Sequence, residues 1–212
     1  MIYLLVGYLI AIVFSLFIAS WRIAVWALAL EALITGLLLI RGAPLEAWSA
    51  RVQVVDIFLM RSLLLPLGLF WFFKKLRIGR DFDIVPPNFV VWTAALALVI
   101  GSFWFGQRVF PTDLQSAVHV GTSVAGVLAG FFILANQTTP AGQLIGLLTL
   151  EGGILLIEVF SAHTHELPVQ LGITIVFAWT LGLLWRFFKQ FAALAALTAS
   201  STNLRSEEKE VL

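Results

Sequence analysis

Residues 21–40 read WRIAVWALALEALITGLLLI, a run that is apolar except at Arg22, Glu31 and Thr35. About 20 consecutive apolar residues are what an α-helix needs to cross the hydrocarbon core of a membrane. Glu31 lies about ten residues into the run, so at about 1.5 Å per residue it is expected about 15 Å deep, near the membrane midplane. The run therefore predicts a membrane-spanning helix with one carboxyl group at its centre.

The composition of the whole chain agrees with this prediction. Of its 212 residues, 60% are hydrophobic and only 12% are charged, about half the charged fraction of a soluble domain. This balance excludes a soluble globular domain and a disordered chain. The absence of cysteine excludes a disulfide scaffold, Cys-ligated zinc or iron–sulfur centres and covalently attached haem. A net charge of +1 without a basic stripe argues against a nucleic-acid partner.

The same length and hydropathy criterion predicts an all-α polytopic membrane protein with seven transmembrane helices. The first is expected to be a retained span, because neither a positive n-region nor a small-residue cleavage site accompanies it. Residues 41–52 are predicted to form a loop with room for a short interfacial helix, and residues from 200 onward a polar tail. The predicted spans are residues 2–20, 21–40, 53–74, 90–107, 114–136, 140–162 and 168–188.

Basic residues are distributed unequally between the two sets of loops. Nine of the 13 fall on one side and three on the other, while Arg61 lies within a span. Cytoplasmic loops carry the excess of Lys and Arg. We therefore expect a multi-pass protein of a bacterial or archaeal inner (plasma) membrane, with its N-terminus outside and its C-terminus in the cytoplasm. The nine are Arg22, Lys74, Lys75, Arg77, Arg80, Arg186, Lys189, Arg205 and Lys209, and the three are Arg41, Arg51 and Arg108.

Two parts of the chain resemble each other. The segment AGQLIGLLTLEGGILLIEVF (141–160) places Glu151 mid-helix as the opening run places Glu31, and the ends of the third and seventh predicted spans, GLFWFFKK and GLLWRFFK, are similar. We infer two parallel three-helix units joined by one extra helix, with chance similarity of apolar segments as the alternative. The predicted units are 1–76 and 114–190, with 77–113 holding the connecting loop and fourth helix and 191–212 a cytoplasmic tail.

Carboxyl groups at mid-membrane depth are the candidate functional groups. An ionisable side chain there costs about 2.5–3.5 kcal/mol on the insertion scale, so each needs a reason. Glu31 and Glu151 are both expected near the midplane, and Glu158 falls on the same helix face as Glu151, about 10 Å along the axis. Gly152 and Gly153 thin the helix beside Glu151, for a close neighbour or a water. The pattern predicts a proton or cation relay.

Arg61 is expected near the middle of the third span, where it requires a carboxylate partner. Asp56 precedes it by five residues, about 140° around an α-helix, and is predicted not to pair with it. Glu31, Glu158 or an acid of a partner subunit is the expected partner. The ion pair would fix helix packing, tune the relay, or do both. Asp56 is either a relay residue or a water-exposed residue at the outer interface.

His119 is the sixth candidate for the relay. It is expected about five residues into the fifth span, and the alternative is a ring that reaches out to the interface. His163 and His165 lack a third ligand, so a solvated loop is predicted there and not a metal site. No catalytic residue, cofactor or metal is predicted, since the chain has no dinucleotide-binding, phosphate-binding or nucleophile motif.

The segment TTPAGQLIGLLTLEGGILLIE (138–158) resembles the Glu-bearing second helix of the K subunit of respiratory complex I. That subunit has three helices, so the resemblance covers the predicted fifth to seventh spans. Over nearly its full length, the chain resembles the E-type membrane subunit of hydrogenase-4. The stretch FLMRSLLLPLGLFWFFKKL (58–76) is similar to the third helix of that family, and LTASSTNLR (197–205) to its tail.

The resemblance implies a non-catalytic, proton-translocating subunit of a complex I-like or hydrogenase-4-like oxidoreductase, whose partners are antiporter-like membrane subunits and a soluble redox arm. Glu151 would be the key carboxyl of the K-like part. The K subunit has a second Glu one helix later, but the seventh span here contains no acid, so Glu158 or Glu31 is its candidate replacement. The alternatives are a C-type subunit of a multisubunit cation/proton antiporter, a stand-alone secondary transporter, and a structural membrane spacer.

Overall fold

The computed structural model describes residues 2–17, 20–42, 48–75, 89–137 and 139–160, together with eight residues between 172 and 186. The chain divides into two compact units, Met1–His165 and Glu166–Leu212. In the second unit the eight described residues are helical. Most of the predicted seventh span (168–188) and the whole predicted tail (191–212) lie outside the described residues.

The described residues of the first unit are arranged entirely in helices and their connections, without a strand. Five helices are long and apolar enough to cross a membrane, whereas the first has 16 residues and is shorter than the roughly 20 that a span needs. The helices are α1 (Ile2–Phe17), α2 (Trp21–Gly42), α3 (Trp48–Lys75), α4 (Phe89–Val109), α5 (Leu114–Asn136) and α6 (Pro140–Phe160).

Helices α4, α5 and α6 agree with the predicted spans to within two residues at each end. The first predicted span is too long, because α1 ends at Phe17 and Ser20 lies outside any helix, its carbonyl oxygen accepting hydrogen bonds from the N–H groups of Ile23 and Ala24. The predicted loop at 41–52 is wrong at its two ends, because α2 continues to Gly42 and α3 begins at Trp48, while residues 43–47 lie outside the described residues. Hydropathy does not predict the first turn of α3 because this turn is polar. The segment WSARVQVV nevertheless contains no helix breaker and can form a helix.

Helix α3 changes its hydrogen-bond pattern near its middle. Between two α-helical parts, Trp48–Val55 and Leu65–Lys75, the stretch Asp56–Leu64 is a π-helix. Its i→i+5 pattern continues to the N–H of Leu65, which donates to the carbonyl oxygen of Met60. Pro66 follows directly, and a proline inside a helix displaces the carbonyl of the preceding turn. The wider turn therefore lies where α-helical hydrogen bonding is already disturbed.

The six helices form a bundle in which α2 packs against α1, α3 and α6, and α5 packs against α1, α4 and α6. Glycine allows the closest approaches. Gly106 of α4 lies against the backbone of α5 at Ala117, Gly130 of α5 lies against Leu150 of α6, and Gly153 of α6 lies against the backbone at Val127. The α4–α5–α6 layer is thus held together by backbone contacts.

The outer surface of the bundle is apolar. In α4 the buried residues are Ala95, Ser102 and Gly106, while large side chains such as Ile100 and Trp104 are about 60% exposed. A soluble protein rarely exposes a continuous apolar surface of this kind. All-helical structure, apolar helices of spanning length and an apolar exterior are the features of a membrane-embedded protein.

Candidate functional site

Three ionisable residues lie at the midpoints of three neighbouring helices. Glu31 is the eleventh of the 22 residues of α2, Arg61 the fourteenth of the 28 of α3, and Glu151 the twelfth of the 21 of α6. Because α2 packs against both α3 and α6, the three side chains reach one cavity, here called the central cavity. It is lined by Leu28, Glu31, Ala32, Thr35, Arg61, Leu65, Leu148, Glu151, Gly152 and Leu155.

Arg61 forms the centre of a buried ion network. Its Nε lies 3.1 Å from Oδ2 of Asp56, and its Nη1 is paired with Oε1 of Glu151. The side chains of Arg61 and Asp56 are 5% and 2% exposed, whereas that of Glu151 is 32% exposed. One guanidinium therefore contacts two carboxylates, one on its own helix and one on α6.

The predicted pairing of Arg61 is wrong in two respects, and one of the two alternatives for Asp56 is excluded. Asp56 does pair with Arg61, because in a π-helix the residue five positions on lies about one turn away. It is buried and not exposed at the interface. The second partner of Arg61 is Glu151, where Glu31 or Glu158 was expected. An α-helical wheel cannot predict this pair, because in an α-helix two residues five positions apart are separated by about 140° around the helix axis.

Glu31 also lines the central cavity. It is 2% exposed, and its Oε1 accepts a hydrogen bond of 3.4 Å from the hydroxyl of Ser15 on α1. Its Oε2 is buried without a hydrogen-bond partner in the described part of the chain. The carboxyl group of Glu31 thus accepts a hydrogen bond from a neutral hydroxyl group, whereas that of Glu151 is paired with a cation.

Tyr8 and Ser15 belong to this site although the sequence analysis did not single them out. A methyl group placed on Gly152 would lie 3.4 Å from the Tyr8 hydroxyl oxygen and 3.5 Å from Oε2 of Glu31. Tyr8 is completely buried, and its hydroxyl has no hydrogen-bond partner among the described residues. The available signal was a phenol, one of two in the chain, seven residues before a serine on an apolar helix. That spacing puts both on one helix face.

The glycine pair next to Glu151 has the role that the sequence predicted. Gly153 faces α5, where a Cβ atom would lie 2.5 Å from the backbone nitrogen of Val127. Gly152 faces the space between Tyr8 and Glu31. One glycine allows close packing and the other leaves room beside the carboxyl groups.

The central cavity has the size of a water site. Its volume is about 20 Å³, and a cavity needs roughly 10–15 Å³ to hold one water, with polar groups to bind it. Oε2 of Glu31 and the Arg61–Glu151 pair supply such groups. One water here would connect the carboxyl group without a cation to the carboxylate that has one.

Glu158 and His119 lie outside the lining of the central cavity. Helix α6 is continuous from Glu151 to Glu158, so the predicted separation of about 10 Å along the axis stands. His119 is buried, and its ring stacks on that of Phe160 with centroids 3.8 Å apart. The ring of His119 is therefore covered by Phe160 and is not exposed. This apolar cover is supplied by the far end of α6, the next helix along the chain.

No metal site is found among the described residues, which contain no group of three or more potential ligands. The site therefore consists of carboxyl groups, one guanidinium, hydroxyl groups and a small cavity. The chain matches no family model, and neither a curated protein nor a solved structure is significantly similar to it.

Proposed function

We propose that this chain is a non-catalytic integral membrane subunit that contributes buried carboxyl groups to proton translocation by a complex I-like or hydrogenase-4-like oxidoreductase. One observation carries the proposal: Glu31 lines the same water-sized cavity as the Arg61–Glu151 ion pair, at the midpoints of three packed helices. Buried ionisable groups at this depth are costly and are typical of ion pathways.

The two carboxyl groups that line the cavity suit different steps of proton transfer. An ionised carboxylate without a cation is expensive in a membrane interior, so Glu31 is suited to binding and releasing a proton. Arg61 contacts both Asp56 and Glu151. When Glu151 takes up a proton, Arg61 keeps its pair with Asp56, and no buried cation is left alone.

The outward part of the path follows α6. Glu158 lies about two turns beyond Glu151, and His119 stacks on Phe160, two residues further. His119 lies five residues after Leu114, the first residue of α5. Ionisable groups are thus spaced from the central cavity towards the end of the bundle where α5 begins.

The proposed architecture has seven spans, with helices 1–3 and 5–7 as parallel repeats and the N-terminus outside. In this arrangement α2 and α6 are equivalent helices. Support comes from Glu31 and Glu151, which face the same cavity from corresponding positions. Two copies of one unit would then contribute one carboxyl group each to a shared site.

A C-type subunit of a multisubunit cation/proton antiporter is the second candidate, since the same cluster would suit it. A stand-alone transporter of organic substrates is disfavoured, because such proteins bind substrate in a cavity between repeats. The central cavity, at about 20 Å³, holds roughly one water.

Purification of the full-length chain with its native partners tests the assignment. The proposal predicts co-purification of large antiporter-like membrane subunits together with redox subunits that contain iron–sulfur centres. Antiporter-like partners without any redox subunit would support the second candidate. Recovery of the chain alone, in a form that transports a solute, would overturn both.

Proton translocation by that purified complex in vesicles tests the residues. Glu31→Gln and Glu151→Gln should each lower the rate of proton translocation by about a hundredfold, which is the lower end of the range for a proton-transferring group. The subunit composition of the complex should not change. Asp113→Asn is the matched control, because it removes an exposed carboxylate while Asn keeps the helix cap. Full pumping by both Glu variants would exclude a relay through the central cavity.

A further inference from the structure

A second cavity lies between α2 and α3, on the outer surface of the bundle. Its volume is about 210 Å³, larger than the ~150 Å³ apolar cavity that stays dry and binds benzene. Trp26, Leu63 and Leu67 are each more than half exposed, so the cavity opens outward. The residues lining this groove are Val25, Trp26, Ser62, Leu63, Pro66, Leu67 and Phe70, of which six are apolar.

The groove exists because α2 and α3 touch at its two ends. At the end nearer the middle of the two helices, here called the deep end, the Ser62 hydroxyl lies 3.4 Å from the carbonyl oxygen of Ala29. At the other end, here called the shallow end, where α2 begins and α3 ends, the ring of Trp21 packs on those of Phe70 and Phe73. Both centroid distances are 5.4 Å. Between these contacts the two helices leave an apolar space that water does not favour.

Cations lie at the shallow end of the groove. The guanidinium carbon of Arg22 is 5.4 Å from the ring centroid of Trp21 and 5.9 Å from that of Phe70, which lines the groove. Lys74 follows Phe70 by four residues and so lies one turn further on the same face of α3. Arg22 and Lys74 are both exposed. An apolar groove with a cationic mouth is complementary to an acyl chain with an anionic head group.

We infer that this groove binds one acyl chain of an anionic phospholipid, whose phosphate lies on Arg22 and Lys74. The eight residues from Leu63 to Phe70 extend about 10 Å along the helix axis, about two thirds of one leaflet of a hydrocarbon core that is roughly 30 Å thick. The guanidinium of Arg22, held beside the Trp21 ring, can offer its N–H groups to two phosphate oxygens at once. This site is separate from the central cavity and does not depend on the proposed function.

Quenching of tryptophan fluorescence by brominated lipids tests the site in the full-length chain. The protein is reconstituted in phosphatidylcholine vesicles that contain a small fraction of brominated phosphatidylglycerol or of brominated phosphatidylcholine. The signal of Trp26 is the difference between wild type and Trp26→Phe, and Trp104→Phe gives the control, since Trp104 is similarly exposed on α4. We expect the anionic lipid to quench Trp26 more strongly, and both lipids to quench Trp104 equally.

Arginine variants identify the head-group contact. Arg22→Gln should weaken the preference for phosphatidylglycerol about fivefold, the effect of one interfacial cation. Arg108→Gln is the matched control, because Arg108 stacks on Trp104 at 5.3 Å in the same way; it should change nothing at Trp26. Leu67→Trp, which fills the groove and keeps Arg22, should abolish the preference. Equal quenching of Trp26 by both lipids, no quenching by either, or a preference that Arg22→Gln leaves unchanged would overturn the inference.

Discussion

Arg61 lies one π-helical turn after Asp56, and its Nε donates a hydrogen bond of 3.1 Å to Oδ2 of that residue. The same guanidinium reaches Glu151 on α6. In an α-helix the two residues of α3 would point in different directions. The π-helical stretch is therefore what allows one buried cation to serve two carboxylates, and such stretches frequently occur at functional sites.

Removal of the cation should destabilise the protein. Arg61→Ala leaves Asp56 and Glu151 without their cation and should lower the free energy of unfolding by about 3 kcal/mol. This value is at the lower end of the range for a broken buried ion pair, because Glu151 is partly exposed. Reversible unfolding in mixed micelles measures this change. Combining Arg61→Ala with Asp56→Asn and Glu151→Gln should recover most of the loss, since no buried charge then lacks a partner. Unchanged stability of the single variant would show that the network does not hold the helices together.

Two glycines on α4 should respond differently to alanine. A Cβ at Gly106 would collide with the carbonyl oxygen of Ala117, whereas a Cβ at Gly101 meets nothing within 4 Å. Gly106→Ala should therefore cost about 1–3 kcal/mol, as overpacking does. Gly101→Ala should be neutral or slightly stabilising through helix propensity. Thermal unfolding of both variants in the same detergent decides the point, and equal midpoints would contradict the α4–α5 contact.

The adjacent glycines of α6 should separate folding from function. Gly153→Ala forces α5 away and should lower stability, because the new Cβ would lie 2.5 Å from the backbone nitrogen of Val127. Gly152→Ala makes only ordinary contacts, 3.4 Å from the Tyr8 hydroxyl oxygen and 3.5 Å from Glu31, and should fold normally. It narrows the space beside Glu31, so proton transfer by the complex should slow. Wild-type transfer rates in Gly152→Ala would argue against a water there.

Acid should weaken the N-terminal cap of α5. The hydroxyl and backbone N–H of Ser116, and the N–H of Gln115, donate hydrogen bonds to Asp113. The bonds from Ser116 lower the pKa of Asp113. Because the folded-state pKa lies below the unfolded value of about 3.9, the stabilisation is present above about pH 4 and is lost as the pH falls through the folded-state pKa.

Two variants isolate that titration from the other carboxyl groups. The stability difference between wild type and Asp113→Ala should shrink as the pH drops below about 4. The difference between Asp113→Asn and Asp113→Ala should stay constant, because Asn caps the helix and does not titrate. Parallel pH profiles for both pairs would show that the ionised carboxylate adds nothing to the cap.

The helices themselves follow from the sequence. Long apolar runs can satisfy their backbone groups in a membrane only by forming helices, so α4, α5 and α6 begin and end where hydropathy predicts. The candidate acids at mid-helix, Glu31 and Glu151, follow from counting along those runs. Hydropathy does not predict polar helical turns that extend beyond the hydrocarbon region. The start of α3 at Trp48 is therefore not predicted from the sequence.

The partners of the charged residues were decided by the tertiary structure. The sequence determined that Glu31, Arg61 and Glu151 lie at the centres of apolar helices, because depth depends only on position along a run. It could not determine that Arg61 pairs with Asp56 and Glu151 while Glu31 faces Ser15. Those contacts depend on the rotation of each helix about its axis. That rotation depends on glycine contacts between packed helices and on one π-helical stretch that shifts the angular spacing of α3.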